Sequence, residues 1–438
     1  MDRKSIVILV FSIIGLIAWF PLVNKYYPPQ EQSRNVAENQ DGAVIIDQGN
    51  TAQAEETILQ SSETAPAVTR TPAVAISTPQ EPATVPENES LLIWENDNLA
   101  YEFTSAGGGI KTVILKKYQE TTKCSDEESE ETTETDHVRL NVNVPTPALN
   151  LFFGKLDNGF LPYTLRQEDD EILAEYLGPD GIRVLKTFQP GTNYVIEAKI
   201  TIENTSYEPK VIPEHYLVTG TATPTKPTDT GMYMGMRYHN GEGVEEIKES
   251  WFANRTLGCF PGTPRTVYPS EPGMVRWTAV ENQFFAMLAI PEEPAPGLVT
   301  QQINLAPPTP EILKAFPKAN MAPKGYQNSL SYPAQELEPG DTIERSFKFF
   351  TGPKEYETLT KLSQKTGEEV DSVMGFDGFF GYFPKALLLS MNKLHSFGLS
   401  YGLSIVMITV IIKLLFWPLT QASTRSMKRM SALQPQMQ

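Results

Sequence analysis

The chain has 438 residues, a formal net charge of −17 and 20% charged residues, enough length for two or three structural units. That acidity argues against nucleic acid as a partner, because phosphate recognition needs clustered lysine and arginine. The two cysteines, Cys124 and Cys259, form no C-x-x-C, and whether they pair outside the cytoplasm stays open.

Ser5 to Val23 is an apolar run preceded by Arg3 and Lys4. No small-x-small cleavage pattern follows; the run ends in Trp19-Phe20-Pro21 and then Tyr26-Tyr27, aromatic residues that suit a headgroup layer. Residues 1–25 therefore read as an uncleaved transmembrane signal anchor, with a cleaved signal peptide as the competing reading. Arg3 and Lys4 stay cytoplasmic and the following chain is exported. Residues 26–90 are an acidic Pro/Thr/Ala-rich stretch, without lysine from Gln30 to Ser90. Such a segment buries too little apolar area to offset chain entropy and is predicted to be a disordered tether.

The pattern changes at Leu91. Leu92–Asn96 and Leu99–Phe103 predict two short strands around a turn, and Ile110–Leu115 another after Ala106-Gly107-Gly108-Gly109. Gly181–Phe188 and Tyr194–Ile202 alternate with period two and predict a long hairpin. Trp277–Val280, Phe284–Ile290 and Thr342–Phe350 complete the strand signals, and the acidic run Cys124–Asp136 reads as an exposed loop. Residues 91–352 are predicted to be one mostly-β unit, a sandwich of twisted sheets.

Residues 353–396 turn helical. Tyr356–Leu362 predicts a short packing helix, and Pro384 is placed in the first turn of the next. That second helix is amphipathic, with Phe383, Leu387, Leu388, Met391 and Leu394 as the residues expected to meet a membrane surface. Residues 397–420 form the second apolar run, charged only at Lys413 and about long enough to cross a bilayer. An ammonium at mid-span costs about 2.5–3.5 kcal/mol on insertion scales, so it faces protein or a watery cavity and marks a functional site. Arg425, Lys428 and Arg429 follow as the positive cytoplasmic flank, within 421–438.

The chemistry of a hydrolase or transferase is missing. There is no G-x-x-x-x-G-K, G-x-S-x-G or H-E-x-x-H, and no ligand spacing for a metal. The glycine run is followed by a strand, so it reads as a turn or bulge and not a phosphate cradle. Of the four histidines, His215 and His239 fall in the β unit and, with a carboxylate such as Glu214, could flank a sugar pocket.

The order of anchor, tether, β domain, amphipathic helix and basic span resembles the YidC family of bacterial membrane protein insertases, of the type with a large periplasmic domain. The string Trp417-Pro418-Leu419-Thr420, Ser426-Met427-Lys428-Arg429-Met430 and Leu433-Gln434-Pro435 carries the likeness, with Lys186-Thr187-Phe188, Tyr194, Trp277 and Phe284-Phe285 in support. The resemblance implies a multi-pass inner-membrane protein with a cytoplasmic N-terminus and a periplasmic supersandwich like that of galactose mutarotases, beside transmembrane and interfacial helices. It implies a chaperone and insertase without cofactor or covalent chemistry. By the same resemblance its substrates would be nascent membrane proteins, handled alone or with the Sec translocon, with the ribosome as a further partner and the bilayer as its medium. Lys413, with Thr409 one helical turn earlier, would line a hydrophilic groove that draws in acidic substrate segments. The family usually has arginine at this position; lysine keeps the charge and loses the planar fork. The family also continues through a cytoplasmic hairpin and further spans, so 421–438 is expected to begin that hairpin and the chain to be a fragment or truncated product. Two rival readings are a membrane-anchored carbohydrate-binding or sugar-epimerising protein and a passive envelope scaffold.

Overall fold

The computed structural model describes residues 89–119, 137–156, 159–191, 193–229, 231–255, 262–269, 273–376 and 378–433. The expected anchor, nearly all of the expected tether, the acidic 124–136 run and both cysteines lie outside the described residues.

A nine-stranded sheet is the backbone of the β domain. Its order is β13 (Val244–Lys248), β12 (Gly235–His239), β15 (Trp277–Glu281), β16 (Phe285–Pro291), β20 (Thr342–Pro353), β9 (Val195–Asn204), β8 (Ile182–Pro190), β7 (Glu171–Leu177) and β6 (Thr164–Glu168). The predicted long hairpin is β8–β9, pairing from Ile182↔Asn204 to Pro190↔Ile196. Two smaller sheets cover its inner side. One is β1 (Leu91–Glu95), β2 (Leu99–Thr104), β3 (Gly109–Gln119) and β4 (His137–Leu140), laid over β8 and β20. There Phe103 meets Phe188 at 5.0 Å between ring centroids, and Tyr101 Oη lies 3.0 Å from Thr351 Oγ1.

The other is β14 (Val267–Pro269), β17 (Gly297–Asn304), β18 (Lys324–Tyr332), β11 (His215–Ala222) and β5 (Leu151–Phe153), packed on β15 and β16 through β11 and β18. A two-stranded piece, β10 (Lys210–Ile212) with β19 (Gln335–Leu337), is a separate small sheet whose Ile212 and Leu337 join the core. Every strand pairing among the described residues is antiparallel. The result is the mostly-β sandwich that the alternation predicts.

The contact between the five- and nine-stranded sheets depends on two unusual positions. Gly220 sits at a bulge in β11 with φ +133°, where a Cβ would come within 2.9 Å of Met287 Cε on β16. Asn328 of β18 is fully buried and bridges the sheets: its amide donates to Thr278 Oγ1 (2.8 Å) and Ala279 O (3.1 Å), and its Oδ1 accepts from Thr300 Oγ1 (2.8 Å). A buried amide is tolerated only with such partners, and a satisfied one fixes the register of both sheets.

On the outer side of the large sheet lies α3 (Tyr356–Thr366), the predicted packing helix, followed by a 3₁₀ turn, Val370–Met374. Leu359, Leu362, Val370 and Val373 are its buried side chains. Two short helices, α1 (Glu249–Ala253) and α2 (Pro310–Ala315), decorate loops.

The chain then leaves the β domain in α4 (Gly378–Ser396) and α5 (Tyr401–Leu433). Pro384 corrects the expected helix start: α4 begins at Gly378, so the proline lies inside it, at its seventh residue. Helix α5 begins at Tyr401 and not at Phe397, because Phe397–Ser400 forms the elbow; Gly398 there has φ +89°, a left-handed conformation suited to glycine. His395 stacks on Tyr401 across the elbow, 3.9 Å between ring centroids. The apolar run and the residues after 420 form one uninterrupted helix of 33 residues.

Candidate functional site

At 1.5 Å per residue, α5 is roughly 50 Å long, against about 30 Å of hydrocarbon in a bilayer. Its side chains are described without a break only from Tyr401 to Leu414, and among the described residues no helix is long and apolar enough to cross a membrane. Lys413 is exposed, flanked by Val410, Ile411, Ile412 and Leu414, which are exposed as well.

Thr409 and Lys413 are four residues apart on this helix and share a face. The Thr409 hydroxyl donates to Ile405 O at 2.8 Å. Ser404, Thr420 and Thr424 do the same to Ser400 O (3.0 Å), Phe416 O (2.9 Å) and Thr420 O (2.8 Å). The hydroxyls of Thr409, Thr420 and Thr424 therefore spend their protons on their own helix and offer only oxygen lone pairs outward, while Ser404 is buried. Lys413 is then the donor of the strip and Thr409 an acceptor beside it. Positions 425, 428 and 429 continue on α5; their side chains are outside the described set.

In α4 the five residues expected at a membrane surface divide. Phe383 and Leu387 are exposed, whereas Leu388, Met391 and Leu394 are half-buried.

The two histidines of the rival reading sit in different sheets, His215 on β11 and His239 on β12, and each is engaged locally. His215 is fully buried in a stack: its ring lies 5.3 Å from Tyr332 and 6.0 Å from Phe153, and Arg345 covers Tyr332 at 3.8 Å. His239 Nδ1 accepts from Gly241 N at 3.0 Å and closes its own turn. Burial, with Arg345 nearby, pushes the His215 pKa down to about 4. The unfolded chain then binds the proton first, so stability is intact above about 6.5 and falls as the pH drops toward 4. The loss is roughly 3 kcal/mol. Urea midpoints across that range should fall more steeply in the wild type than in His215→Phe; equal slopes would show that the ring is not protonated on unfolding.

One buried cation was not singled out as a site by sequence reasoning. Lys186 on β8 is fully buried; its Nζ donates to Gly107 O and Leu149 O, both at 2.7 Å, and sits 4.5 Å over the Tyr163 ring. The signal was present, since Ile182, Val184, Lys186 and Phe188 occupy one face of an alternating strand. Lys186 pins the glycine turn, where a Cβ on Gly107 would clash with Asn150 Oδ1 and one on Gly108 with the Tyr163 ring.

Comparison with known proteins fits this architecture. Residues 94–383 match the family described as YidC periplasmic domain, and residues 393–438 match 60Kd inner membrane protein. The membrane protein insertase YidC of Syntrophus aciditrophicus is 25% identical over 444 residues, spanning 100% of this chain and 74% of that protein. The YidC of Geobacter sulfurreducens is 26% identical over 360 residues, 78% of this chain and 59% of that one. Among solved structures, a galactose mutarotase related enzyme from Lactobacillus acidophilus is similar over 60% of this chain and 97% of its own, with TM-score 0.36 and 9% identity. A putative aldose 1-epimerase from Escherichia coli gives 0.34 and 10%, over 60% of this chain and 99% of its own. The family matches cover the β domain and the final helix alike, and the chain belongs to the YidC family of membrane protein insertases.

Proposed function

We propose that the chain inserts and helps fold inner-membrane proteins along a polar strip on α5, with Lys413 as its charged centre. The observation that carries this reading is the pairing of Thr409 and Lys413 on one face of a 33-residue helix whose segment 401–424 has no other charge. A helix of that composition crosses the bilayer with its ammonium turned from lipid toward a watery groove, since a lipid-facing charge costs several kcal/mol. Arg425, Lys428 and Arg429 hold its far end in the cytoplasm. The β domain is then periplasmic and the N-terminus cytoplasmic.

The acidic flank of a substrate is drawn toward Lys413 while its apolar segment partitions into lipid, and that partition supplies the driving force. Nascent membrane proteins are the substrates; the Sec translocon and the ribosome are the partners this route would serve. Helix α4, through Phe383, Leu387, Leu388, Met391 and Leu394, rests at the outer surface of the membrane. A photocrosslinker at position 413 of the full-length protein should capture an arrested single-span substrate, and lose it when the substrate's span is made polar. Capture from other α5 positions but never from 413 would make Lys413 a structural charge and refute the groove.

A further inference from the structure

The turn between β15 and β16 presents Phe284 to solvent, 56% exposed. The turn is braced: Asn282 Oδ1 accepts from the backbone N–H groups of Phe284 (3.0 Å) and Phe285 (2.8 Å), and Lys354 N donates to Phe284 O (2.8 Å). At its base Glu281, 5% exposed, meets Lys354 Nζ at 2.8 Å and Arg237 Nε at 2.9 Å. Arg237 in turn lies against Gly375, where an added Cβ would be 3.1 Å from Nη2. One buried carboxylate thus holds the turn to the residues just before α3 and, through Arg237, to those just before α4.

Tyr356, two residues after Lys354, joins the same pole to α4: its ring lies 6.4 Å from Phe376, and Lys385 Nζ of α4 sits 5.4 Å from its centroid. Phe284 and the first turns of α4 therefore leave the β domain together. The segment that follows, from residue 393, is the part that matches an inner membrane protein. On the proposed topology the chain passes here from water to lipid, and an exposed apolar ring held rigidly at that level gains by entering the lipid surface.

We propose that Phe284 is a second point of contact with the lipid surface, so that the β domain rests on the bilayer at an angle set by the Glu281 clamp. This rests on reading α4 as interfacial, and the test separates the two. An environment-sensitive dye is attached at Phe284→Cys, Leu387→Cys or Tyr207→Cys in the full-length protein with Cys124 and Cys259 replaced by serine. Each is reconstituted in phosphatidylethanolamine–phosphatidylglycerol vesicles carrying a nitroxide quencher near the headgroup. Tyr207 lies beyond the far end of β9 and is wholly exposed, so it reports the unquenched level.

Quenching at 284 close to that at 387, and several-fold above that at 207, is the expected result. Quenching at 387 with none at 284 overturns the proposal and leaves α4 at the membrane, the outcome if another protein covers Phe284. No quenching at either position overturns both.

Discussion

Replacing Lys413 by leucine is expected to cut insertion of a substrate with an acidic periplasmic flank by roughly 30- to 100-fold, while Lys413→Arg keeps most of the activity. The estimate follows from charge alone. Unit charges about 6–8 Å apart at an effective dielectric near 20 attract by about 2–3 kcal/mol, and a leucine forfeits that attraction. Arginine restores it, because the role needs a positive charge and not a particular fork. Lys413 is exposed among apolar neighbours, so the leucine removes no contact on which the helix depends. Insertion would be read by protease protection of a translated single-span substrate in vesicles holding each full-length variant. A substrate with a neutral flank should lose far less. Equal activity of the wild type and the leucine variant on the acidic substrate would remove Lys413 from the mechanism and favour a passive scaffold.

The strands that could be read from the sequence were those facing one apolar layer. In β8 and β9 the alternation is nearly unbroken, and the hairpin register follows from it. None of the five strands of the five-stranded sheet is predicted by alternation, and for three of them the reason is physical. β11, β17 and β18 carry Thr219, Thr221, Thr300, Gln327, Asn328 and Ser329 in buried positions, so their inward residues look polar. Their burial is made tolerable by partners on other strands, such as Thr278 beneath Asn328, and no local window contains those partners.

The roles of His215 and His239 were hidden from the sequence for the same reason. His215 and His239 look alike as isolated histidines, yet one is stacked between aromatic rings and the other closes a turn. Lys413 stands out in the sequence because it is the lone charge in an otherwise apolar run, a placement that a membrane span would make costly. What the sequence could not convey was the state of the hydroxyls beside it. Thr409 donating to Ile405 O is a matter of rotamer, which composition does not reveal. The continuity of α5 past residue 420 was hidden too, since the change from apolar to basic character suggested a boundary that the backbone ignores.

Lys186→Met should destabilise the β domain by about 2–4 kcal/mol, the second large effect expected. Methionine fills nearly the same volume but leaves Gly107 O and Leu149 O without a donor, and each stranded buried carbonyl costs about 1–3 kcal/mol. Removing a buried cation returns some of this. That return is limited, because burial pulls the Lys186 pKa well below the ordinary lysine range, so the folded chain already disfavours the charged form. Leu149 adds to the loss: it sits at φ +63°, a left-handed strain that a non-glycine residue keeps only while its carbonyl is held.

The pH dependence separates this account from simple packing. With the folded pKa depressed, the unfolded chain binds the extra proton, so the wild type gains stability as the pH rises toward the unfolded lysine value. The gain is up to about 1.4 kcal/mol per unit. The buried tyrosines, Tyr101 and Tyr163 among them, are shifted upward and act only above about pH 10, equally in both proteins. Between pH 7 and 9.5 the gap between wild type and Lys186→Met should therefore widen, as measured by urea unfolding. A gap that stays constant would mean that Lys186 keeps its proton in the folded state, held as an ammonium by the two carbonyls and the Tyr163 ring.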